Sequence, residues 1–266
     1  MKKIMRCLTA DLKKSVCSYG FCICTVAVFI LCFASVIYID DFTGKEYTAF
    51  EIVVNRSKIP NIKFSGINIL HISVNPYLTI FLPVLSSIPF VTLFCTERIG
   101  GNIRFIITRT GKLFYCLTKF ITALVSGAIT NILGFVLYSL VIIFAFGLNG
   151  GITELIKIYI GMGIYGAVSV LPAFFLSAFI KNKYMICCFP FIFMHFYYTI
   201  IAKVKDNFIA HDNWDAVFKI SFLYTSDIKE ILFSHDLTAI IFYSALTVIT
   251  FTGFTLIMNR RLDYGQ

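Results

Sequence analysis

The chain has 266 residues, of which 58% are hydrophobic and 14% charged, with a mean hydropathy of +0.85; soluble domains carry about a quarter charged residues. A soluble globular protein is therefore excluded. The formal charge of +9 is dispersed in short blocks between apolar runs, a pattern of membrane topology and not of a nucleic-acid surface.

In chain order, Ile4, Leu8, Leu12 and Val16 recur every four positions among Lys2, Lys3, Arg6, Lys13 and Lys14. This spacing predicts a basic amphipathic N-terminal helix with its apolar stripe on the membrane surface. The first apolar run, 19–39, is about 20 residues long and matches a hydrocarbon core of roughly 30 Å. No small-residue cleavage motif precedes Asp40 and Asp41, so the run reads as a retained anchor and not as a signal peptide. Further runs fall at about 77–95, 117–146, 155–180, 184–202 and 237–258. Pro83, Pro89, Pro172 and Pro190 lie inside them and predict kinks. All the runs are continuous, not alternating, which disfavours a barrel.

Lys and Arg counts set the expected orientation. Fourteen of the 23 basic residues and only Asp11, Glu97 and Asp263 of the acidic ones fall in the leader, the 2–3 and 4–5 connections and the tail. Those faces are predicted to be cytoplasmic, with both termini inside. The expected fold is one all-α membrane domain over 1–266, a six-helix transmembrane bundle. Two long outward connections, 40–75 and 203–236, contain no cysteine, which excludes a disulfide framework there. The second is rich in aromatics, among them Phe208, Trp214, Phe218, Phe222 and Tyr224, and reads as an interfacial helix or a solvated cap.

The most informative segment is Thr96 to Lys119, TERIGGNIRFIITRTGKLFYCLTK. Gly100 and Gly101 permit a tight change of direction. Ile103, Ile106 and Ile107 then sit at helical spacing beside Arg104, and Thr110-Gly111 ends the short helix. A short helix is thus expected between spans two and three, held by rigid junctions and able to carry force.

On Glu97, Gly101, Arg104, Ile106, Ile107, Thr108, Arg109, Tyr115 and Lys119, the segment resembles the link between spans two and three in permease subunits of type-2 ATP-binding-cassette exporters. Asn102 stands where that family has a small hydroxyl residue and Thr110 where it has Pro. The basic leader and a long outward connection between spans five and six are also similar to the family. The resemblance implies a cytoplasmic coupling helix that binds a separate ATPase, with Glu97, Gly100, Gly101, Arg104, Arg109 and Lys119 as coupling residues. It further implies a second permease copy or a similar permease as partner, in the cytoplasmic membrane. The chain itself has no G-x-x-x-x-G-K-[ST] phosphate cradle, so it is not expected to be an enzyme or to need a cofactor. The expected cargo is an amphipathic peptide, a lipid-like molecule or a drug.

Other candidates carry less. His195 falls in the fifth run without an acidic residue beside it and reads as a hydrogen-bonded imidazole inside the bundle. His71, His211 and His235 have no zinc spacing. Gly127, Asn131 and Gly134, with Gly163 and Ala167, read as close helix packing within the bundle. The alternative reading of the whole chain is a non-transporting immunity or sensory protein that binds a peptide through its outward loops; a gradient-driven transporter is disfavoured by the scarcity of intramembrane acids.

Overall fold

The computed structural model describes residues 2–39, 45–54, 65–73, 76–148, 151–208 and 237–263. The chain is mostly helical, and helices lie over all six predicted runs. Among the described residues three helical stretches, Ile80–Ile99, Lys112–Phe146 and Ile152–Ser177, are long and apolar enough to cross a membrane, and a fourth span is completed if the bent leader pair is counted as one. The protein is membrane-embedded.

Helix α1 (Lys2–Val16) breaks at Cys17 and resumes as α2 (Tyr19–Phe33) at an angle of 56°. The Ser18 hydroxyl caps α2, accepting from the Phe21 amide at 3.1 Å. Contrary to the sequence expectation, α2 does not reach Ile39. It stops at Phe33, and β1 (Val36–Ile39) pairs antiparallel with β2 (Glu46–Thr48), Val36 opposite Thr48 and Ile39 opposite Glu46. Val36, Ile37 and Ile39 are β-branched and suit a strand once a pairing edge is present, information that a hydropathy run lacks.

The described parts of the first long connection, 45–54 and 65–73, consequently form a folded cap. Thr48 and Glu51 form a reciprocal capping box at the start of α3 (Ala49–Val54): the Glu51 amide donates to Thr48 Oγ1 at 3.3 Å, and the Thr48 amide to Glu51 Oε2 at 3.1 Å. Helix α4 (Gly66–Ser73) buries Ile67, Ile69 and Leu70. Ile69 and Leu70 join Ala49 and Ile52 over Val28, Phe135, Tyr138, Ile142 and Met162, forming the core of that end of the bundle.

Helix α5 (Pro76–Ile99) continues through Pro83 and Pro89. Hydroxyls nearby bond back to its carbonyls, Ser86 to Leu82 at 2.7 Å, Ser87 to Val84 at 2.8 Å and Thr92 to Ile88 at 2.9 Å. After α6 (Asn102–Thr110) comes α7 (Lys112–Phe146), the central helix. The fourth run divides at Val170 into α8 (Ile152–Ser169) and α9 (Leu171–Ser177), because Pro172 cannot donate to the preceding turn. Helices α10 (Lys183–Phe208) and α11 (Leu237–Asp263) complete the bundle. The aromatic residues expected in the second outward connection, Trp214, Phe218, Phe222 and Tyr224, lie outside the described residues.

Helices α7 and α8 meet through glycines. A Cβ on Gly127 would lie 2.7 Å from the Gly166 carbonyl oxygen, and one on Gly166 would lie 2.6 Å from that of Gly127. Gly134 faces Val28 of α2, and Gly163 faces Ile132 of α7. The close packing expected of Gly127, Gly134 and Gly163 is present within the bundle; Gly166 is an addition.

Candidate functional site

The end of the bundle where α5 finishes and α7 begins holds the most unusual chemistry of the molecule. Lys119 lies two turns into α7 and is wholly buried, with its ammonium 2.9 Å from Asp11 Oδ2 on α1 and 2.5 Å from Glu97 Oε2 on α5. Asp11 is 3% exposed and Glu97 7%. The exclusion of water strengthens the attraction between the ammonium and both carboxylates. The ammonium also lies 5.4 Å from the centre of the Tyr115 ring. One cation thus ties three helices together.

Helix α1 presents a polar stripe to this clasp. Cys7, Asp11 and Ser15 follow one another at four-residue spacing; Asp11 and Ser15 are buried, while Leu8, Leu12 and Val16 are only half-buried. The deepest face of α1 is therefore not the apolar stripe on which the sequence reading rests, but the adjacent polar one. Hydropathy cannot find it, because its partners come from residues about 80 to 110 positions away. Burial, then the nearby Asp11 carboxylate, pushes the Cys7 thiol above its ordinary value of 9.0.

Two glycine corners hold α6 between α5 and α7. Gly101 adopts the left-handed conformation (φ 68°, ψ 3°), and a side chain there would meet nothing within 4 Å. Gly111 (φ 86°, ψ 151°) occupies a region that only glycine visits freely, and it ends α6 and starts α7 in one residue. Gly100 has no positive φ. Of the expected glycine pair, Gly101 alone makes the turn.

Arg98 is a further member that sequence reasoning counted only as a topological charge. Its guanidinium donates to the carbonyls of Ser177 at 2.7 Å and Ile180 at 2.9 Å, closing the C-terminus of α9. Behind the clasp stands an aromatic core of Phe90, Phe94, Phe174 and Phe254, the last two stacked 4.1 Å apart.

The predicted coupling residues thus divide. Glu97 and Lys119 meet inside the protein, both buried; Gly101 makes the first corner and Gly100 does not; Arg109 is exposed on α6. For Arg104 the structure gives a helical backbone position. His195 does not sit inside the bundle as the sequence reading expects. Its ring is exposed and stacks on Phe191 at 6.2 Å. Among the described residues no group of three or more His, Cys, Asp or Glu side chains is arranged for a metal.

Comparison of the chain with family models, curated proteins and solved structures found no match. The reading of the site rests on its residues.

Proposed function

We propose that this chain is the permease subunit of an ATP-binding-cassette exporter, with α6 as the coupling helix on which a separate ATPase acts and with six spans and both termini on the cytoplasmic side. The observation that carries the reading is the buried clasp of Asp11, Glu97 and Lys119. A push on α6 reaches the bundle only if the ends of α5 and α7 move with it. The clasp joins those ends to each other and to α1 by charges that cannot exchange partners with water. Corners made by single glycines transmit a displacement instead of absorbing it in a slack loop. A driven transition between two states of the bundle also needs a motor that binds one state better, and a separate ATPase supplies that difference. A second permease then completes the path for an amphipathic cargo.

The test is purification of the tagged chain from its own cells in mild detergent. A stoichiometric ATPase is expected to accompany the wild type and to be lost with Arg104→Glu, while the thermal transition of the chain itself is unchanged. A chain recovered alone under the same conditions overturns the proposal and leaves the immunity or sensory reading standing. Labelling of a cysteine placed at Thr108 from outside intact cells overturns it equally.

A further inference from the structure

Beside the clasp, α1 and α6 enclose an open cavity of about 660 Å³, lined by Arg6 and Cys7 from α1 and by Phe105, Ile106, Thr108, Arg109 and Thr110 from α6. Its electrostatics are opposite to those of its neighbour. The clasp sets two carboxylates on one cation, whereas among the described residues the cavity lining has two guanidiniums and no acid, and neither Arg6 nor Arg109 has a carboxylate partner. The threonine protons are already committed: Thr108 donates to the Phe105 carbonyl at 3.0 Å and Thr110 to that of Ile106 at 2.9 Å. The cavity therefore offers an anion its two arginines. Around them lies apolar surface, with Phe105 73% exposed, Met5 58%, and Leu113 63% just past the Gly111 corner.

Depth decides what kind of anion fits. At about 1.5 Å per residue the 35 residues of α7 span roughly 52 Å, some 20 Å more than a hydrocarbon core of about 30 Å. A surplus of that length extends into the headgroup layers. With Arg6, Arg109 and Lys112 gathered on its first turns and on the α1 and α6 packed against them, the start of α7 is the end suited to that layer, where a cation meets lipid phosphate and an exposed Leu113 or Phe105 meets acyl chain. An acidic peptide would satisfy the arginines, yet it would leave that rim in contact with water.

We propose that the cavity between α1 and α6 seats the headgroup of an anionic phospholipid, with its phosphate on Arg6 and Arg109 and its chains along the apolar rim. Arg109 is also one of the expected coupling residues, so binding is read on the chain alone, without an ATPase, and the fate of this site is separable from that of the transport reading.

The experiment titrates dioleoylphosphatidylglycerol or dioleoylphosphatidylcholine into the full chain in neutral detergent, reading bound lipid by native mass spectrometry. The anionic lipid is expected to bind preferentially. Arg6→Gln with Arg109→Gln should weaken it roughly tenfold or more, on the scale of two juxtamembrane charges. The pair Lys13→Gln and Lys14→Gln, which removes the same charge outside the cavity, should weaken it less, and Arg6→Lys with Arg109→Lys should retain most of it. Equal binding of the two lipids overturns the proposal, as does equal loss in the two neutralised pairs. Inorganic phosphate that displaces the lipid at equal concentration makes this a free-anion site and overturns it. So does a glutamate-rich peptide that binds through Arg6 and Arg109 where the lipid does not. Should the glutamine pair fail to fold, a photoactivatable phosphatidylglycerol on the wild type decides: crosslinks to α1 and α6 support the site, and crosslinks confined to other helices overturn it.

Discussion

The two ends of α7 are fastened by opposite means. At its start, Lys119 holds Asp11 and Glu97 by charge in a space closed to water. At its far end, Tyr138 shares a hydrogen bond of 2.6 Å with Ser73 of the cap, and Ser139 one of 2.5 Å with Tyr159 of α8, in the midst of apolar packing. Neutral hydrogen bonds are individually weak and forgiving. Buried charges are neither: each is tolerable only while its partner remains, so the clasp makes three helices depend on one another in a way that the cap end does not. On the proposed reading, in which one end transmits motion and the other is merely covered, the two ends have reason to differ in this way.

Breaking the clasp should have the largest effect. Lys119→Met leaves two buried carboxylates without a cation and is expected to cost about 3–5 kcal/mol, read as a lowered thermal transition in detergent. Replacing all three charges together, Asp11→Asn with Glu97→Gln and Lys119→Met, should recover much of that loss, because the desolvation penalty disappears along with the attraction. A single substitution as mild as those at the cap end would show that water reaches the clasp and that the contrast is wrong.

Next come the glycines, where two different physical causes are separable. Gly127→Ala drives a methyl into the Gly166 carbonyl at 2.7 Å and is expected to cost about 1–3 kcal/mol by forcing α7 and α8 apart. Gly101→Ala touches nothing; its cost, about 1–2 kcal/mol, comes from the left-handed backbone alone. Gly101→Asn, which tolerates that conformation, should restore most of the loss, whereas no residue larger than glycine should rescue position 127. The cap end should respond least: Tyr138→Phe removes one neutral hydrogen bond and is expected to cost about 0.5–1.5 kcal/mol, since Ser73 keeps its bond to the Ile69 carbonyl.

How far this contrast was legible beforehand depends on the range of the interaction. Helix positions, the short α6 and the break at Gly111 follow from local runs and glycines, and Glu97 and Lys119 stand out within one 24-residue segment. Asp11 does not, because nothing in a basic amphipathic leader marks one carboxylate as the buried member of a cluster. Its stripe, Cys7, Asp11 and Ser15, lies beside the apolar one, so a helix read by hydropathy is rotated the wrong way. The strand at Val36–Ile39 was hidden for a related reason. Its residues are as apolar as a span, and only pairing with Glu46–Thr48 separates the two outcomes. Arg98 was counted as a charge outside the membrane, although its work is to close a helix end some 80 residues further on.

A labelling rate in the wild type reports on the clasp without disturbing it. Burial and the Asp11 carboxylate raise the Cys7 thiol, while the Lys119 ammonium lowers it. The thiolate is the reactive form, so maleimide should label Cys7 more slowly than the exposed Cys17 at pH 7.5, and the Cys7 rate should rise about tenfold per pH unit across the range below its raised value. The same shift has a sign for stability: a thiol raised in the folded chain favours folding below its ordinary value and loses that contribution as pH climbs through the raised one. In Lys119→Met the lowering influence is gone, so an intact α1 predicts slower labelling still. Faster labelling would mean instead that α1 has left the bundle, and would locate the damage of that substitution at the leader. Equal rates for Cys7 and Cys17 in the wild type would place Cys7 in water and remove the polar face of α1 from the account.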